Sequence, residues 1–367
     1  MPTDSDNSGA LSTSTPSGND VSNLNPNLSN HSTSSAKEQY TTEDYVHGIK
    51  EGDRVMLSRA ITLIESTRPE HQQTAREIVD RCLPASGDSI RIAITGVPGV
   101  GKSSFIETLG MRLVETDHRL AVLTVDPTSE RSRGSILGDK TRMGELSARD
   151  EAYIRPSPTA GTLGGVARKT RETIVLCEAA GFNTIFVETV GVGQSEVKVH
   201  SMVDFFLLLV LAGAGDELQG IKRGIVEMAD AIAVNKADGD NVAAAKDARA
   251  EYERALRLLA EPESGWEPPV LTCSALTGDG IDEVWSAVES YRQHTHENGF
   301  FETQRRRQAR HWLYQTIEQR LQEDFFADPD VDDARKEMES AVESGKLSSF
   351  AAADRLLEIY RASTKAE

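Results

Sequence analysis

A glycine-rich segment with one lysine and two serines follows an apolar run at residues 90–95. It reads GVPGVGKSS and fits the pattern G-x-x-x-x-G-K-S, with an apolar run before it and a helical pattern after it. Glycines allow the backbone to curl so that successive N–H groups point at phosphate oxygens, while the lysine adds positive charge and the first serine can face Mg²⁺. The predicted phosphate-binding residues are Gly96, Val97, Pro98, Gly99, Val100, Gly101, Lys102, Ser103 and Ser104.

A second group of polar residues, Asn235, Lys236 and Asp238, ends the apolar run 231–234. Guanine presents two adjacent donors, and a carboxylate offers two acceptor oxygens that match them, so Asp238 is the predicted reader of the base. Asn235 is expected to hold the loops and the purine edge, and the stem of Lys236 to cover the base. The backbone of Ser274, Ala275 and Leu276, which follow another apolar run, is expected to donate to the same base, although these three residues alone fit an ordinary turn equally well.

Three carboxylates are candidates for a Mg²⁺ shell, since this ion prefers oxygen ligands. Glu188 ends the apolar run 184–187, and Gly191 behind it would let a backbone N–H approach a γ-phosphate. Common GTPases carry Asp where this chain has Glu188. Asp126 and Asp139 are the other two candidates, and a helix cap or a turn explains each of them equally well.

The composition limits the function classes. The 367 residues carry a formal net charge of −18, which argues against nonspecific nucleic-acid binding. The longest apolar stretch, 205–212, is too short to span a bilayer and reads as a strand buried on both faces. Three widely spaced cysteines form neither a disulfide framework nor a zinc motif, and the amino terminus is polar, so we expect a cytoplasmic protein with reduced thiols.

Strands and helices alternate between residues 90 and about 290, which predicts an α/β fold of the P-loop NTPase class. We expect a mostly parallel, doubly wound sheet with helices on both faces and ligands at the carboxyl ends of the strands. The predicted strands are 90–95, 120–125, 183–188, 204–211, 230–234 and 269–273. The predicted helices are 102–116, 165–180, 219–228, 241–260 and 280–296, with further helices near 331–343 and 347–361.

Four regions are expected along the chain. Residues 1–43 read as a disordered polar tail, because so few apolar side chains cannot offset the entropy of ordering. Residues 44–88 read as a helical segment, 89–297 as the nucleotide domain and 298–367 as a helical arm. In the arm, Leu313, Ile317, Leu321 and Phe325 step by four along one face.

Together these motifs resemble the MeaB-type G-protein chaperones of adenosylcobalamin-dependent methylmalonyl-CoA mutase. The resemblance covers residues from about 45 to 345. It is carried by GVPGVGKSSF (96–105), VDPTSERSRGSILGDKTRM (125–143), GTLGGVARKTRE (161–172), FVETVGVGQSEV (186–197), LAGAGDELQGIKRGI (211–225) and AVNKADGD (233–240).

The resemblance implies a GTPase that binds GTP or GDP with Mg²⁺ and gates cofactor loading into the mutase. It further implies a homodimer formed through the carboxyl-terminal helices, and an association with cobalamin adenosyltransferase. By resemblance the Mg²⁺ shell would comprise Ser103, Asp126, Asp139 and Glu188, and the catalytic groups would be Lys102, Lys222, Glu188 and Gly191. Physical reasoning alone would read Lys222 as a surface lysine at a helix start.

Three other functions are alternatives to this interpretation. A metal-inserting GTPase of the hydrogenase or urease maturation type would usually show a Cys/His motif, and the eight histidines form no paired cluster. An ATP-using kinase associated with basic amino-acid transport conflicts with Asp238. A scaffold that binds nucleotide without hydrolysis also fits the motifs. The sequence leaves open which acyl-CoA mutase is the client and what the tail does.

Overall fold

Among the described residues, seven parallel strands form one sheet. The computed structural model describes residues 40–125, 143–156, 163–189, 195–213 and 223–364. The strands are β1 (Ile90–Thr95), β2 (Leu120–Val125), β3 (Ala152–Pro156), β4 (Thr184–Thr189), β5 (Phe205–Leu211), β6 (Ala231–Asn235) and β7 (Val270–Thr272). Their order is β3-β2-β4-β1-β5-β6-β7, so β1 lies in the middle of the sheet, between β4 and β5.

Helices precede, connect and follow these strands. Before the sheet come α1 (Thr42–Lys50), α2 (Arg54–Glu65) and α3 (Pro69–Cys82). Between the strands are α4 (Lys102–Val114), α5 (Gly144–Ser147), α6 (Leu163–Ala179), α7 (Ser195–His200), α8 (Arg223–Glu227) and α9 (Val242–Leu256). After the sheet come α10 (Ile281–Glu297), α11 (Phe300–Ala327), α12 (Pro329–Glu343) and α13 (Ser349–Ser363).

The sheet is buried on both faces, as a parallel sheet must be when crossover helices cover it. Along β5 the buried side chains alternate between two cores, with Leu207 and Leu209 facing α4 and α10, and Leu208 and Val210 facing α8 and α9. This alternation explains why the strand is apolar at nearly every position. The predicted fold class, an α/β P-loop arrangement with helices on both faces, is confirmed.

The first helices have clear local start signals. The Thr41 hydroxyl accepts from the Asp44 N–H, and the Asp44 carboxylate accepts from the Thr41 N–H, which is a complete capping box before α1. Asp53 caps α2 without a reciprocal bond, since its Oδ1 accepts from the Val55 and Met56 N–H groups. Helix α1 begins at Thr42, two residues before the start predicted for the helical segment. Residues 1–39 of the predicted tail lie outside the described residues.

The observed strand ends lie within one residue of all six predicted strands. The edge strand β3 was not predicted, because five residues containing Arg155 and Pro156 give a weak local pattern. It is held by distant groups: it pairs with β2, and on α2 the Arg54 side chain donates to the Ala152 carbonyl at 2.7 Å while Glu65 pairs with Arg155. Of the predicted helix 219–228, residues 223–227 are helical and 219–222 lie outside the described residues.

A buried ionic cluster joins the arm to the amino-terminal edge of the sheet. Arg91 on β1 binds Glu178 on α6 through two hydrogen bonds of 2.8 and 2.9 Å. Arg305 on α11 binds Asp204 through Nε at 2.5 Å and through Nη2 at 2.6 Å, and it also donates to the Ser89 carbonyl. The Asp204 carboxylate in turn accepts from the Arg91 backbone N–H. Helix α11 is therefore anchored at the opposite edge from the carboxyl ends of the strands.

Candidate functional site

The glycine-rich segment forms the turn between β1 and α4, and its glycines are required by geometry. Gly96 has φ of 149°, and a Cβ there would lie 2.3 Å from the Leu209 carbonyl oxygen. Gly101 has φ of 96°, and a Cβ there would lie 2.8 Å from Asn235 Nδ2. Gly101 precedes α4 and supplies no capping side chain, so the first-turn N–H groups are left for another acceptor.

Lys102 is the first residue of α4, and its side chain is buried against the loop. Its Nζ donates to the Gly96 carbonyl at 2.8 Å and to the Val97 carbonyl at 3.3 Å. Burial lowers the pKa of Lys102, while the carboxylates of Glu188 and Glu196 act in the opposite direction. The ammonium group is thus held inside the curve of the loop, where the motif predicts phosphate oxygens.

Glu188 and Ser103 lie together at the carboxyl end of β4. In the sheet register Glu188 lies between Ile94 of β1 and Thr124 of β2, and Ser103 Oγ donates to its Oε1 at 3.2 Å. This pair consists of a hydroxyl and a carboxylate oxygen, which are the ligand types that Mg²⁺ takes beside phosphate and water. The donor set therefore fits the ion predicted from the sequence.

Asn235 connects the glycine-rich segment 96–104, called the phosphate loop below, with the segment after β7. Its Nδ2 donates to the Val100 carbonyl at 2.8 Å, and its Oδ1 accepts from the Ala275 backbone N–H at 3.1 Å and from Cys273 Sγ at 3.7 Å. The side chain is buried. The loops after β1, β6 and β7 thus meet on one amide group.

The remaining residues of the predicted base-binding group surround the same opening. Lys236 has φ of 58°, and its Nζ donates to the Gly99 carbonyl at 2.8 Å, so its stem crosses the phosphate loop. Asp238 Oδ2 accepts from Ser274 Oγ at 2.5 Å. Leu276 exposes 86% of its surface beside them. The structure therefore brings the two predicted groups, 96–104 and 235–276, to one edge of the sheet.

The other predicted site residues divide into two sets. Pro98 and Ser104 are exposed, and the Ser104 carbonyl accepts from Thr108. Asp126, Asp139, Gly191 and Lys222 lie outside the described residues, and their roles stay predictions.

Two features near the phosphate loop were missed by sequence reasoning. Glu196 on α7 is buried and acts to raise the pKa of Lys102, although sequence reasoning assigned it no role of its own within the 186–197 motif. Thr95 and Thr189 end β1 and β4, and their hydroxyls are 2.8 Å apart in a hydrogen bond. A charged residue shortly after the Glu188 segment was the available signal for Glu196, but a single acidic residue on a helix is too common to single out.

The described ranges hold neither a membrane-spanning helix nor a metal-binding cluster of His, Cys, Asp and Glu side chains. None of the helices there is long and apolar enough to cross a membrane. Within the same ranges, no group of three or more His, Cys, Asp or Glu side chains is arranged to hold a metal ion.

Known proteins are similar in sequence to this chain over the whole sheet and over the site described above. A family model described as methylmalonyl-CoA mutase-associated GTPase MeaB matches residues 57–330. A probable GTPase of Mycobacterium tuberculosis is 52% identical over 319 residues, covering 87% of this chain and 95% of that protein. The mitochondrial methylmalonic aciduria type A homolog of Mus musculus is 44% identical over 337 residues, covering 89% of this chain and 81% of that protein.

A crystal structure of a LAO/AO transport system kinase has the same fold. It is 36% identical in sequence with a TM-score of 0.69, and the alignment covers 87% of this chain and 97% of that one. The site residues 96–104 and 235–276 lie inside the range matched by the family model.

The bridge made by Asn235 leads to the first prediction. Replacing Asn235 with Ala leaves the Val100 carbonyl and the Ala275 N–H without their partner, so we expect the free energy of unfolding to fall by roughly 2–4 kcal/mol. Urea denaturation measures the change. Asn241→Ala is the matched control, because that amide donates outside the phosphate loop, to the Lys236 carbonyl. Equal losses in the two variants would contradict a special role for the bridge.

Proposed function

Since the chain belongs to the MeaB family of methylmalonyl-CoA mutase-associated GTPases, we propose that it hydrolyses GTP to GDP and phosphate. We further propose that this reaction gates adenosylcobalamin loading into an acyl-CoA mutase, which the protein protects and reactivates as a chaperone. The observation that carries the proposal is the meeting of the phosphate loop and the Asp238 loop on Asn235, because it holds a phosphate cradle and a base reader at a fixed separation.

Asp238 would select guanine. Its two oxygens can accept from N1–H and the 2-amino group, whereas adenine offers an acceptor and no second donor at the same edge. The Ser274 hydroxyl holds one oxygen of this carboxylate in place, and the Lys236 stem and Leu276 offer apolar surfaces for the two faces of the base. This arrangement disfavours the ATP-using kinase interpretation.

Lys102 and the first turn of α4 would bind the phosphates. The first-turn N–H groups of α4 have no capping side chain, and Lys102 lies against the phosphate loop. Charge that develops on the γ-phosphate and on the leaving GDP oxygen would then be met by these donors. Ser103 and Glu188 would hold Mg²⁺, and when bound this ion neutralises phosphate charge. The water oxygen would attack the γ-phosphorus, the bond from this phosphorus to the bridging oxygen of the β-phosphate would break, and a proton of the water would pass to a phosphate oxygen or to solvent.

Hydrolysis by the isolated protein should be slow. Lys102 and the loop amides would stabilise charge on the phosphates, whereas activation of the attacking water would need a further group. We propose that Lys222, from the segment after β5, supplies the missing charge when the mutase engages, with Gly191 approaching the γ-phosphate. Cobalamin adenosyltransferase is a second proposed partner.

The arm offers a surface for a second copy of the chain. Leu313, Ile317 and Leu321 are each about half exposed and lie at intervals of four on α11, which forms an apolar stripe. Phe325 continues the spacing but packs on Tyr360 of α13, with ring centroids 5.3 Å apart. We propose that the stripe is the homodimer interface.

Base selection is tested with Asp238→Asn. Losing the paired, charge-assisted acceptors should weaken GTP binding by about 30- to 1000-fold, equivalent to roughly 2–4 kcal/mol, and should favour xanthosine triphosphate. Titrations of GTP, ATP and xanthosine triphosphate measure it. Asp240→Asn changes an exposed carboxylate two residues away and should leave the order of affinities intact. Equal affinity of the wild-type protein for ATP and GTP would rule the assignment out.

Partner-dependent catalysis is tested with the acyl-CoA mutase of the same organism. Mutase should raise the rate of phosphate release at least tenfold, about 1.4 kcal/mol off the barrier, and cobalamin loading should differ between GTP, GDP and a non-hydrolysable analogue. Lys222→Ala should bring the ratio of stimulated to unstimulated rate close to one. Lys246→Ala removes an exposed lysine of α9 and should keep the wild-type ratio. No complex, or loading that ignores the nucleotide, would overturn the chaperone role.

The dimer is tested by placing a charge in the apolar stripe. Leu321→Asp should convert the protein to a monomer in size-exclusion chromatography with light scattering, because a carboxylate buried against an apolar partner is costly. Leu258→Asp makes the same change at an exposed leucine of the nucleotide-binding region and should remain dimeric. A dimer that survives Leu321→Asp would place the interface elsewhere.

A further inference from the structure

A cavity of about 310 Å³ lies where the arm meets the nucleotide-binding region. It is bounded by α6, by α7 and by a face of α11 other than the apolar stripe. The residues that line it include Ala167, Arg171, Lys198, Ser201, Trp312 and Gln315. Its volume is at the lower end of the range of small-molecule sites, about 300–1000 Å³, so a small molecule fits it better than a folded partner.

The Arg171 guanidinium is held at the wall of this cavity. It lies over the indole ring of Trp312, 4.6 Å from the ring centroid, and its Nε donates to the Ala167 carbonyl at 3.3 Å. The indole N–H donates to the Ser201 carbonyl at 2.9 Å, which joins α11 to the residue after α7. The two terminal nitrogens of the guanidinium form no hydrogen bond with the described residues, so they remain available as donors.

Neither cation of the cavity is paired with a carboxylate of the described residues. This holds for Arg171 and for Lys198, which lines the cavity from α7. Glu172, next to Arg171 in sequence, pairs with Arg168 at 3.2 Å. The only carboxylate among the described residues that line the cavity is Glu318, which is exposed and accepts from a glutamine of its own helix. The cavity therefore combines two positive charges with no internal counter-ion.

The charge of Arg171 is costly in this position. Burial lowers the pKa of Arg171 to about 10, because water no longer solvates the guanidinium fully. Buried charges in proteins are ordinarily paired. The chain has 58 acidic and 40 basic residues, so the lack of an acidic partner is not a result of composition. An anion from outside the chain would supply the partner that the fold omits.

The donors of the cavity match a phosphate group. A guanidinium presents N–H groups in a fork that fits two phosphate oxygens, and an ammonium adds a point charge. A phosphate monoester carries a charge of about −1.5 to −2 at pH 7 and three acceptor oxygens, so it can bind both cations at once. The exposed His311 and the amide of Gln315 line the same cavity and offer further donors.

We propose that this cavity binds a small phosphate monoester, with Arg171 and Lys198 as the anion-binding residues and with Trp312 holding the guanidinium in position. No residue of the phosphate loop lines the cavity, so this is a second anion site. The inference goes beyond the proposed GTPase function and does not rest on it. Because α6, α7 and α11 all line the site, a bound ligand would stabilise the contact between the arm and the nucleotide-binding region.

Isothermal titration calorimetry of the full-length protein with glycerol 3-phosphate tests the site. Arg171→Gln removes the fork at similar size and should weaken binding about tenfold or more, and Lys198→Ala should weaken it about threefold or more. Arg171→Lys keeps the charge without the fork and should fall between Arg171→Gln and the wild type. Arg320→Gln removes an exposed guanidinium from another face of α11 and should bind as the wild type does.

A further variant separates the cavity from the phosphate loop, which can also bind phosphate groups. Lys102→Ala should keep the binding that Arg171→Gln loses. Binding that is lost in Lys102→Ala and kept in Arg171→Gln and Lys198→Ala would assign the phosphate to the loop and overturn the proposal. A wild-type protein that does not bind glycerol 3-phosphate would overturn it as well.

Succinate tests whether the cavity selects phosphate. Its two negative charges lie on separate carboxylates, so it cannot place both on one group between the two cations. We expect it to bind about tenfold or more weakly than glycerol 3-phosphate. Equal affinities for the two compounds would show that the cavity answers to charge alone and would overturn the assignment to a phosphate monoester.

Discussion

The hydrogen bonds of the Asn235 amide are the constraint on which the nucleotide site depends. Strands β1 and β6 are not neighbours, since β5 lies between them, yet their loops must act on one ligand. An amide can donate to the Val100 carbonyl and accept from the Ala275 N–H at the same time, which neither a carboxylate nor an apolar side chain can do. Because the group is buried, neither bond competes with water. The spacing between phosphate loop and base loop is therefore set by the protein before any ligand arrives.

The buried ionic cluster at the amino-terminal edge of the sheet positions helix α11. Buried ion pairs add little net stability, because desolvation offsets their attraction, but a geometry with several bonds per charge admits few alternatives. Arg305 binds Asp204 through two nitrogen atoms and also donates to the Ser89 carbonyl. Helix α11 is therefore held in one position beside the starts of β1 and β5. The arm is thus fixed close to the α7–β5 connection, whose Ser201 and Val203 carbonyls also accept hydrogen bonds from α11.

Features that depend on neighbouring residues could be predicted from the sequence. The family resemblance that it suggested is confirmed. Six strands were predicted from short apolar runs, and the phosphate loop from spacing, since glycine at 96 and 101 is a local steric requirement. Features that depend on distant partners could not be predicted. Strand β3 exists because β2 and α2 hold it, and Glu196 matters because the fold places it near Lys102. The four-residue spacing from Leu313 to Phe325 predicted that both side chains lie on one apolar face. In the structure Phe325 packs against Tyr360 whereas Leu313 is about half exposed, and this difference depends on a distant partner.

The close approach of Gly101 to Asn235 has an evolutionary consequence. A methyl group at 101 would meet the Asn235 amide at 2.8 Å, and φ of 96° strains every residue other than glycine there, so a smaller residue at 235 alone does not open position 101 to substitution. A smaller residue at 235, however, loses the bridge between the loops before any benefit is gained. Every single-step path away from this pair therefore passes through a less fit intermediate. Glycine at 101 and asparagine at 235, more than a hundred residues apart in sequence, should thus both persist among descendants of this chain.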